Sequence, residues 1–286
     1  RIIVITGHQA EAVEKFHAQR NCIFVRQSEQ LGTAHAVAMS LPYIRDLSNV
    51  VILYGDVPLV SLSTIEKMIE AVKEGQMGLL TAEKHNPSGY GRIVSNEEGS
   101  IESIVEQSDA TPNQLKITEV NTGVMAMNSS QLKNWVPQIR NSNKKNEYYL
   151  TDIIEIARLN GCFIKRIKPN SNIEVEGVNN REQLSRLERS YQKYLANEFM
   201  LAGNSIADPD RFDQRGKLKT GFDNYIDVNC IFEGEVQLGN NISIGPNCHI
   251  INSIIDDCVE IKANSIVDSS RIKSGAIVGP FARLRP

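Results

Sequence analysis

The chain has 286 residues, of which 41% are hydrophobic and 23% charged, and its formal net charge is −3. This length is sufficient for two domains, and the composition is ordinary for a globular protein. The weak negative charge, with no block of lysine and arginine, excludes the basic footprint of a nucleic-acid-binding protein. No apolar run approaches the roughly 18 residues of a membrane span, and no secretory signal pattern is present, so we expect no membrane partner.

The cysteines are odd in number, scattered, and never spaced as Cys-x-x-Cys. Such a set argues against a disulfide framework or a zinc site and is typical of a reducing cytoplasm. We expect all of them to be core thiols. They are Cys22, Cys162, Cys230, Cys248 and Cys258.

Strand and helix patterns alternate through residues 1 to about 180. This alternation predicts an α/β fold with a mostly parallel, doubly wound sheet. The predicted strands are Ile2–Thr6, Cys22–Arg26, 50–53 and 78–82, with further strands near residues 93, 104 and 124. One predicted helix ends near residue 18, and the others cover 34–41, 63–73, 131–139 and 150–159.

The stretch from Val50 to Val60 organises this part of the chain. Its first four residues are apolar and three are β-branched, which predicts a central strand buried on both faces. Tyr-Gly-Asp-Val-Pro follows, where glycine permits a turn and proline ends the ladder. Asp56 thus stands where open α/β sheets bind ligands, and it is a candidate ligand of Mg²⁺ that also contacts phosphates. The alternative is a turn aspartate that caps the helix beginning near Leu62.

The loop at residues 27–33 connects a strand to a helix. The amide of Gln27 offers both a donor and an acceptor to the edge of a pyrimidine base. Gly32 lets the backbone approach a ligand closely, and Thr33 opens a helix whose N-terminus favours anions. An ordinary strand-to-helix connection is the alternative.

The C-terminal third has a different pattern. Arg181–Leu201 is charged, apolar at helical spacing and free of glycine and proline, which predicts one long connecting helix, and residues 203–222 are predicted to be a loop-like boundary. From Ile226 the apolar period becomes six, in two registers with two one-residue slips, which is the signature of a parallel β-helix. About three coils fit before Pro286, and so short a stack indicates association with other copies. The repeat positions are Ile226, Phe232, Leu238, Ile244, Ile250, Ile255, Ile261, Val267, Ile272 and Val278, with Cys230, Val236, Ile242 and Cys248 in the second register.

Several short segments occur in a fixed order along the chain. They are Gln-x-x-Gln-Leu-Gly-Thr-Ala-His-Ala, Leu-Tyr-Gly-Asp-Val-Pro-Leu, Gly-Tyr-Gly-Arg-Ile, Ile-Val-Glu, Glu-Val-Asn-Thr-Gly, Glu-Tyr-Tyr-Leu-Thr-Asp-Ile and Val-Glu-Gly-Val-Asn-Asn-Arg. Together they resemble bacterial UDP-N-acetylglucosamine pyrophosphorylase, the N-terminal half of a bifunctional enzyme. Gly-Pro-Phe-Ala-Arg-Leu-Arg-Pro resembles its other half, a hexapeptide-repeat glucosamine-1-phosphate N-acetyltransferase.

The resemblance covers essentially the whole chain and implies three parts. These are a Rossmann-like nucleotidyltransferase domain lacking its first βα unit (1–180), a linker helix (181–203) and the start of a left-handed parallel β-helix (204–286). The implied reaction makes UDP-N-acetylglucosamine and pyrophosphate from UTP and N-acetylglucosamine-1-phosphate, with Mg²⁺, by in-line attack of the sugar phosphate on the α-phosphorus. The resemblance also implies a bacterial cytoplasmic location and a homotrimer assembled through the β-helix.

Each matched position carries an implied role. The uracil loop is matched by Gln27, Gly32 and Thr33, and the Tyr-Gly-Asp segment by Tyr54, Gly55 and the Mg²⁺ ligand Asp56. The N-acetylglucosamine positions are matched by Gly91, Glu106 and Asn121, the second Mg²⁺ ligand by Asn179, and a sugar-phosphate residue of the acetyltransferase site by Arg285. The amide of Asn179 and the carboxylate of Asp56 would leave Mg²⁺ enough positive charge to bridge phosphates. The side chains of Glu106 and Asn121 are suited to hydrogen bonds with sugar hydroxyl groups.

Each role also has an ordinary alternative. Gly91 could be a turn glycine, Glu106 a surface carboxylate and Asn121 a turn asparagine. Asn179 and the residue after it could cap the following helix, and the side chain of Thr33 could act only as a cap.

The family's glycine-rich loop, with an arginine and a lysine that hold phosphate, would precede residue 1, and most acetyltransferase coils would follow Pro286. We therefore expect impaired turnover and no acetyltransferase activity from this chain. Two other functions remain open. One is another sugar-1-phosphate nucleotidyltransferase, such as a glucose-1-phosphate thymidylyl- or adenylyltransferase, and the other is a non-catalytic assembly subunit.

Overall fold

The computed structural model describes residues 1–286 as two compact units, Arg1–Gly177 and Val178–Pro286. The six α-helices are α1 (Ala10–Phe16), α2 (Thr33–Ser40), α3 (Leu62–Lys73), α4 (Ser129–Trp135), α5 (Ile153–Leu159) and α6 (Arg181–Leu201). The strands of the first unit are β1 (Ile2–Thr6), β2 (Cys22–Arg26), β3 (Asn49–Ile52), β4 (Met77–Glu83), β5 (Arg92–Ser95), β6 (Ile101–Val105), β7 (Glu119–Asn128) and β8 (Ile164–Ile167).

The strands of the second unit are short and regularly spaced. They are β9 (Ser205–Ile206), β10 (Phe212–Lys219), β11 (Tyr225–Ile226), β12 (Cys230–Leu238), β13 (Ser243–Ile244), β14 (His249–Ile251), β15 (Ile254–Ile255), β16 (Glu260–Ile261), β17 (Ile266–Asp268), β18 (Arg271–Ile272), β19 (Ile277–Val278) and β20 (Arg283–Leu284). No helix in either unit is long and apolar enough to cross a membrane.

The α/β class of the first unit is confirmed, but the expectation of a mostly parallel sheet is wrong. Strands β6, β5, β7, β4 and β8 follow one another in a six-stranded sheet, in which β3 also pairs with β7. Only β4 and β8 are parallel there, and β1 and β2 form a separate parallel pair. The reason is local: β5 and β6 form a hairpin, and β7 runs antiparallel to three of its neighbours.

Strand β3 is not buried on both faces, contrary to the prediction. Val50, Val51 and Ile52 are half-buried, and Leu53 is 50% exposed. The strand pairs only with β7, and its other side faces a cavity of about 730 Å³ lined by residues of β1, β3 and α2. An apolar run indicates that a strand is buried but does not report how many neighbours it has.

Helix α3 explains why Asp56 does not act as a cap. The helix begins after Ser61, whose hydroxyl accepts a hydrogen bond from the backbone N–H of Thr64 at 3.2 Å. Its apolar face includes Met68, which is fully buried against the sheet. The capping alternative for Asp56 is therefore wrong, because Ser61 performs that role.

In the second unit, the long helix has the predicted bounds. Asn180 caps α6 by accepting a hydrogen bond from the backbone N–H of Gln183 at 2.8 Å. Near the C-terminal end of α6, Ala196 and Phe199 are buried in the same core as Phe212. The ring centroids of Phe199 and Phe212 are 5.7 Å apart. The helix thus packs its apolar stripe on the first strands that follow it.

The parallel β-helix region is confirmed with the predicted inward positions. Ile226 pairs with Ile244 and Phe232 with Ile250, a spacing of one coil, and the spacing then shortens by one residue where Leu238 pairs with Ile255. The nine repeat positions from Ile226 to Ile272 are at most 7% exposed. Each coil therefore buries the inward side chains of its neighbours.

The prediction of a loop at residues 203–222 is wrong, because β9 and β10 form a coil there. Ile206, Phe212 and Leu218 continue the six-residue register and join the core of the β-helix. The register was hidden because eight residues, instead of six, separate Leu218 from Ile226.

The expectation that all cysteines are core thiols holds in full only for Cys230 and Cys248, which are buried. Cys22 and Cys162 are half-buried, and for Cys258, which is exposed, the expectation is wrong; all five cysteines are free. Cys258 occupies a corner of the coil with φ of 59°, in the left-handed region. A residue at such a corner lies outside the inward register of its neighbours.

Candidate active site

Two distant sequence motifs meet at the loop of residues 27–33. The backbone N–H of Tyr148 donates to the carbonyl of Leu31 at 2.8 Å, and Ala34 donates to the carbonyl of Tyr148 at 2.9 Å. Gly32 has φ of 116°, and a Cβ there would lie 2.6 Å from the Tyr148 carbonyl oxygen. Glycine is thus required both by the backbone conformation and by the close approach.

Thr33 contributes to the same junction. It is the first residue of α2, and its hydroxyl accepts a hydrogen bond from the backbone N–H of Leu150 at 2.9 Å. The side chain makes no capping hydrogen bond, so the alternative that Thr33 acts only as a cap is wrong. The loop is held by the Glu-Tyr-Tyr-Leu-Thr-Asp segment.

The amide of Gln27 is already engaged within the loop. Its Nε2 lies 3.2 Å from the carbonyl oxygen of Gly32 and 2.9 Å from Nδ1 of His35. The side chain is half-buried. Gln27 is therefore fixed beside the mouth of the loop and not free to rotate.

Tyr54 packs on β7, the strand that carries the Glu-Val-Asn-Thr-Gly segment. Gly123 has φ of 87°, and a Cβ on it would lie 2.7 Å from Cε2 of Tyr54, so the ring occupies that space. Burial raises the pKa of the Tyr54 hydroxyl to about 12, and the charges of Glu106 and Asp56 add to the effect. The tyrosine is therefore neutral and lies near both carboxylates.

The three positions matched to N-acetylglucosamine lie together. A Cβ on Gly91 would be 2.9 Å from Ile104 and 3.4 Å from Oε1 of Glu106, and the Gly91 carbonyl accepts a hydrogen bond from the backbone N–H of Asn121 at 2.9 Å. Gly91 does not have positive φ, so glycine is needed there because a Cβ would be too close to Ile104, and not because of a turn. The side chain of Asn121 accepts a bond from Gly123 N–H at 3.0 Å within β7.

Carboxylates dominate the electrostatics at this end. Burial raises the pKa of Glu106, against a hydrogen bond that its Oε1 accepts from the Thr151 hydroxyl at 3.2 Å. Burial, followed by the charges of Glu155, Glu106 and Asp109, raises the pKa of Asp152 to about 6. Such a region accepts hydrogen bonds from hydroxyl and amide groups and repels phosphate. Glu106 therefore suits the sugar end of a nucleotide sugar.

Asp56 and Gly55 face open space. Asp56 is exposed, and a Cβ on Gly55 would meet no atom within 4 Å. The turn is closed by the N–H of Val57, which donates to the carbonyl of Tyr54 at 3.1 Å. A Cβ on Gly177 would lie 3.8 Å from the backbone oxygen of Asp56. The carboxylate is thus available to a ligand beside the Tyr54 ring.

A buried glutamate fastens the segment after Asp56 to the end of the first unit. Oε2 of Glu174 accepts hydrogen bonds from the Ser61 N–H (3.2 Å), the Ser61 hydroxyl (2.9 Å) and the Thr64 hydroxyl (2.6 Å), and Oε1 accepts one from the Asn170 N–H at 3.1 Å. Burial opposes ionisation, but these bonds outweigh it and lower the pKa of Glu174. The carboxylate stabilises the start of α3 and fixes the turn that leads to Gly177.

Two predicted site residues belong to the second unit. Asn179 is exposed, its backbone N–H donates to the side chain of Gln183 at 2.7 Å, and the cap of α6 is formed by Asn180. Arg285 is exposed after the last strand, where its carbonyl accepts from the Ser270 hydroxyl at 3.4 Å. The pairing of Asn179 with Asp56, and the role of Arg285, stay predictions.

Sequence reasoning gave no role to three residues of the first unit that the structure places beside the predicted ones. Thr151 contacts Glu106, His35 contacts Gln27, and Glu174 fastens the segment after Asp56. For the first two, membership of a matched motif was the available signal. Glu174 had none, because Ser61 and Thr64, which it joins to the end of the unit, are more than a hundred residues away in sequence.

The fold and this site define a nucleotidyltransferase. Residues 1–166 match the Nucleotidyl transferase family, and the chain belongs to that family. Enzymes of this family generally use a divalent metal ion. The family resemblance predicted from the motifs is confirmed.

The chain is also similar, over its full length, to longer bacterial proteins named bifunctional protein GlmU. It is 49% identical to those of Marinobacter nauticus and Francisella philomiragia, and 42% identical to that of Burkholderia vietnamiensis. It covers 63% of each of these relatives, so the chain spans less than two thirds of their length.

Proposed function

We propose that the first unit is a uridylyltransferase that forms UDP-N-acetylglucosamine and pyrophosphate from UTP and N-acetylglucosamine-1-phosphate. One observation carries this proposal: six of the matched segments, far apart in sequence, form one continuous set of contacts. The Thr33 hydroxyl accepts from the N–H of Leu150, and the hydroxyl of the next residue, Thr151, donates to Glu106. Glu106 lies against Gly91, whose carbonyl accepts from the N–H of Asn121, and two residues further on Gly123 lies against Tyr54. A base site, a turn with a free carboxylate and a sugar site are the parts that this reaction needs.

The proposed division of labour follows from the chemistry of each part. The loop with Gln27 binds the base, and Tyr54 and Gly55 leave room for the nucleotide beside Asp56. Glu106 and Asn121 accept and donate hydrogen bonds to sugar hydroxyl and amide groups. No protein nucleophile is needed, because positioning the sugar phosphate in line with the α-phosphorus supplies most of the rate.

The residues present fit a magnesium ion that is shared with substrate. No group of three or more His, Cys, Asp or Glu side chains could hold a metal by itself, whereas Mg²⁺ in nucleotide sites uses one or two carboxylates plus phosphate oxygens. We propose Asp56 and Asn179 as its protein ligands. Bound there, Mg²⁺ would neutralise charge on the phosphates.

The test is pyrophosphate release from a substrate panel. We expect turnover with UTP and N-acetylglucosamine-1-phosphate, in the presence of Mg²⁺, to exceed that with dTTP, ATP or glucose-1-phosphate by at least about tenfold. Preference for dTTP or ATP would favour another sugar-1-phosphate nucleotidyltransferase. Absence of both turnover and nucleotide binding would favour the non-catalytic assembly subunit.

We also propose that the β-helix assembles three copies of the chain. Apolar side chains on the outside of its earlier coils, Phe222, Tyr225 and Ile254, are 56%, 44% and 38% exposed, which supports burial against another copy. Sedimentation equilibrium should give three times the chain mass of 31.9 kDa. A monomer at micromolar concentration would contradict the trimer.

A further inference from the structure

His35 shares a hydrogen bond with the residue expected to bind the base. It lies in α2, eight residues after Gln27, and its Nδ1 is 2.9 Å from the Nε2 atom of that glutamine. The same Nε2 is 3.2 Å from the carbonyl oxygen of Gly32. Both His35 and Gln27 are half-buried.

These two contacts define how the amide of Gln27 is oriented. A backbone carbonyl can only accept, so the group that faces Gly32 must be the NH₂ and not the amide oxygen. The NH₂ has two hydrogens, and the second points to His35. For this contact to be a hydrogen bond, Nδ1 of His35 has to be the acceptor, which assigns the ring proton to Nε2.

The consequence concerns what Gln27 can offer to a ligand. The Nε2 group of Gln27 is engaged with Gly32 and His35, which leaves Oε1 as the atom of the amide that is open to a ligand. The expectation that this amide offers both a donor and an acceptor is therefore wrong. Gln27 presents an acceptor alone, which pairs with the N3–H of uracil and opposes the unprotonated N3 of cytosine.

We propose that His35 is a positioning residue that sets base selectivity by holding the Gln27 amide with its oxygen directed outward. This inference rests on the proposed function, since it assumes that Gln27 binds the base. Without the acceptor at Nδ1, the amide could rotate and donate a hydrogen bond to cytosine. The residue thus selects imide bases over cytosine without itself contacting the nucleotide.

The test compares UTP and CTP binding, by calorimetry with Mg²⁺, in the wild type, His35→Leu and His35→Asn. Leucine removes the acceptor at similar volume, and we expect the preference for UTP over CTP to fall by about tenfold. Asparagine offers its Oδ1 near the position of Nδ1, and we expect it to retain the preference. Affinity for N-acetylglucosamine-1-phosphate should be unchanged in both variants.

The outcomes separate this inference from the proposed function. A wild type that binds no uridine nucleotide contradicts the proposed function, and the inference fails with it. A wild type that prefers UTP, with the same preference in His35→Leu, overturns the inference alone.

A measurement on the wild type needs no substitution and remains decisive if His35→Leu does not fold. Nitrogen NMR of the His35 ring should show the proton on Nε2 and a bare Nδ1 at neutral pH. A proton on Nδ1 would overturn the proposal.

Discussion

The two units of the chain encode their structures in opposite ways. In the β-helix, every inward position follows from a period of six, and neighbours in space lie one coil apart in sequence. In the first unit, Gly32 meets Tyr148 and Ser61 meets Glu174, across more than a hundred residues. A repeat therefore specifies a scaffold locally, whereas a site is built from contacts that no local pattern reports.

The largest effect expected from this comparison is the loss of function without loss of fold at Asp56. Asp56→Ala should reduce magnesium-dependent pyrophosphate release by about a hundredfold or more. The substitution removes a carboxylate that is proposed to hold Mg²⁺ beside the phosphates. The thermal unfolding midpoint should not change, because Asp56 is exposed. Near-normal turnover would contradict the metal assignment. Glu97→Ala, at another exposed turn of the same unit, is the matched control.

The converse is expected in the β-helix, where one substitution should lower the stability of the fold without changing its function. Ile244 is fully buried between neighbouring coils, and Ile244→Ala should lower the free energy of unfolding by about 2–5 kcal/mol. Ile254→Ala makes the same change at a 38% exposed position and should cost less than about 1 kcal/mol.

Circular dichroism would report this loss, while the fluorescence of Trp135, the single tryptophan, follows the first unit. Equal costs for the two substitutions would contradict the assigned register. A change in uridine nucleotide binding caused by Ile244→Ala would break the separation between scaffold and site.

Glu174 should contribute to the stability of the first unit, because it joins the segment after Asp56 to the turn before Gly177. Glu174→Ala leaves the Thr64 hydroxyl buried without its partner and should cost about 2–3 kcal/mol. Glu66→Ala, at an exposed position of the same helix, should cost almost nothing.

The pH dependence of Glu174 follows from its lowered pKa. Its ionised form stabilises the fold above the unfolded pKa, near 4.5, and this contribution is lost as the pH falls through the lower folded value. Chemical denaturation of the wild type and Glu174→Gln as a function of pH should therefore converge at acid pH. A constant difference between the two would contradict the ionised network.

The smallest expected effect is at Asp152, where the pKa is raised from 3.8 to about 6. A carboxyl with a raised pKa binds its proton more tightly when folded, so stability falls as the pH rises from about 4 to about 6. Asp152→Asn should remove this slope and be more stable than the wild type above pH 6, by about 1 kcal/mol after screening by solvent. Thermal unfolding across this range, with Glu98→Gln as an exposed control, checks it. Parallel curves for wild type and variant would contradict the carboxylate cluster.

How much could be predicted from the sequence differed between the units for physical reasons. The inward residues, the slip at Ile255 and the bounds of α6 followed from periodicity, but the coil at β9 and β10 was missed because an eight-residue step interrupts the register. In the first unit, the alternation of strand and helix patterns predicted the α/β class but not the direction of the strands. The β5–β6 hairpin, for example, depends on the turn between residues 95 and 101.

The candidate site was predicted by resemblance and only partly by chemistry. Motif order identified Gln27, Gly91 and Glu106, which the structure places in one unit at positions with space and polar groups for a ligand. It could not show that both donors of Gln27 are used by the loop, because that depends on the distance to His35. Hydrogen-bond capacity read from residue type is an upper limit until the partners are known.

The most direct test of the central claim is the binding of UDP-N-acetylglucosamine to the wild type, measured by calorimetry against UDP-glucose. The claim is that distant segments of the first unit form one pocket for a uridine nucleotide and an N-acetylated sugar. It predicts one site per chain and at least about tenfold tighter binding of UDP-N-acetylglucosamine. Equal binding of the two nucleotide sugars, or no binding of either, would contradict it.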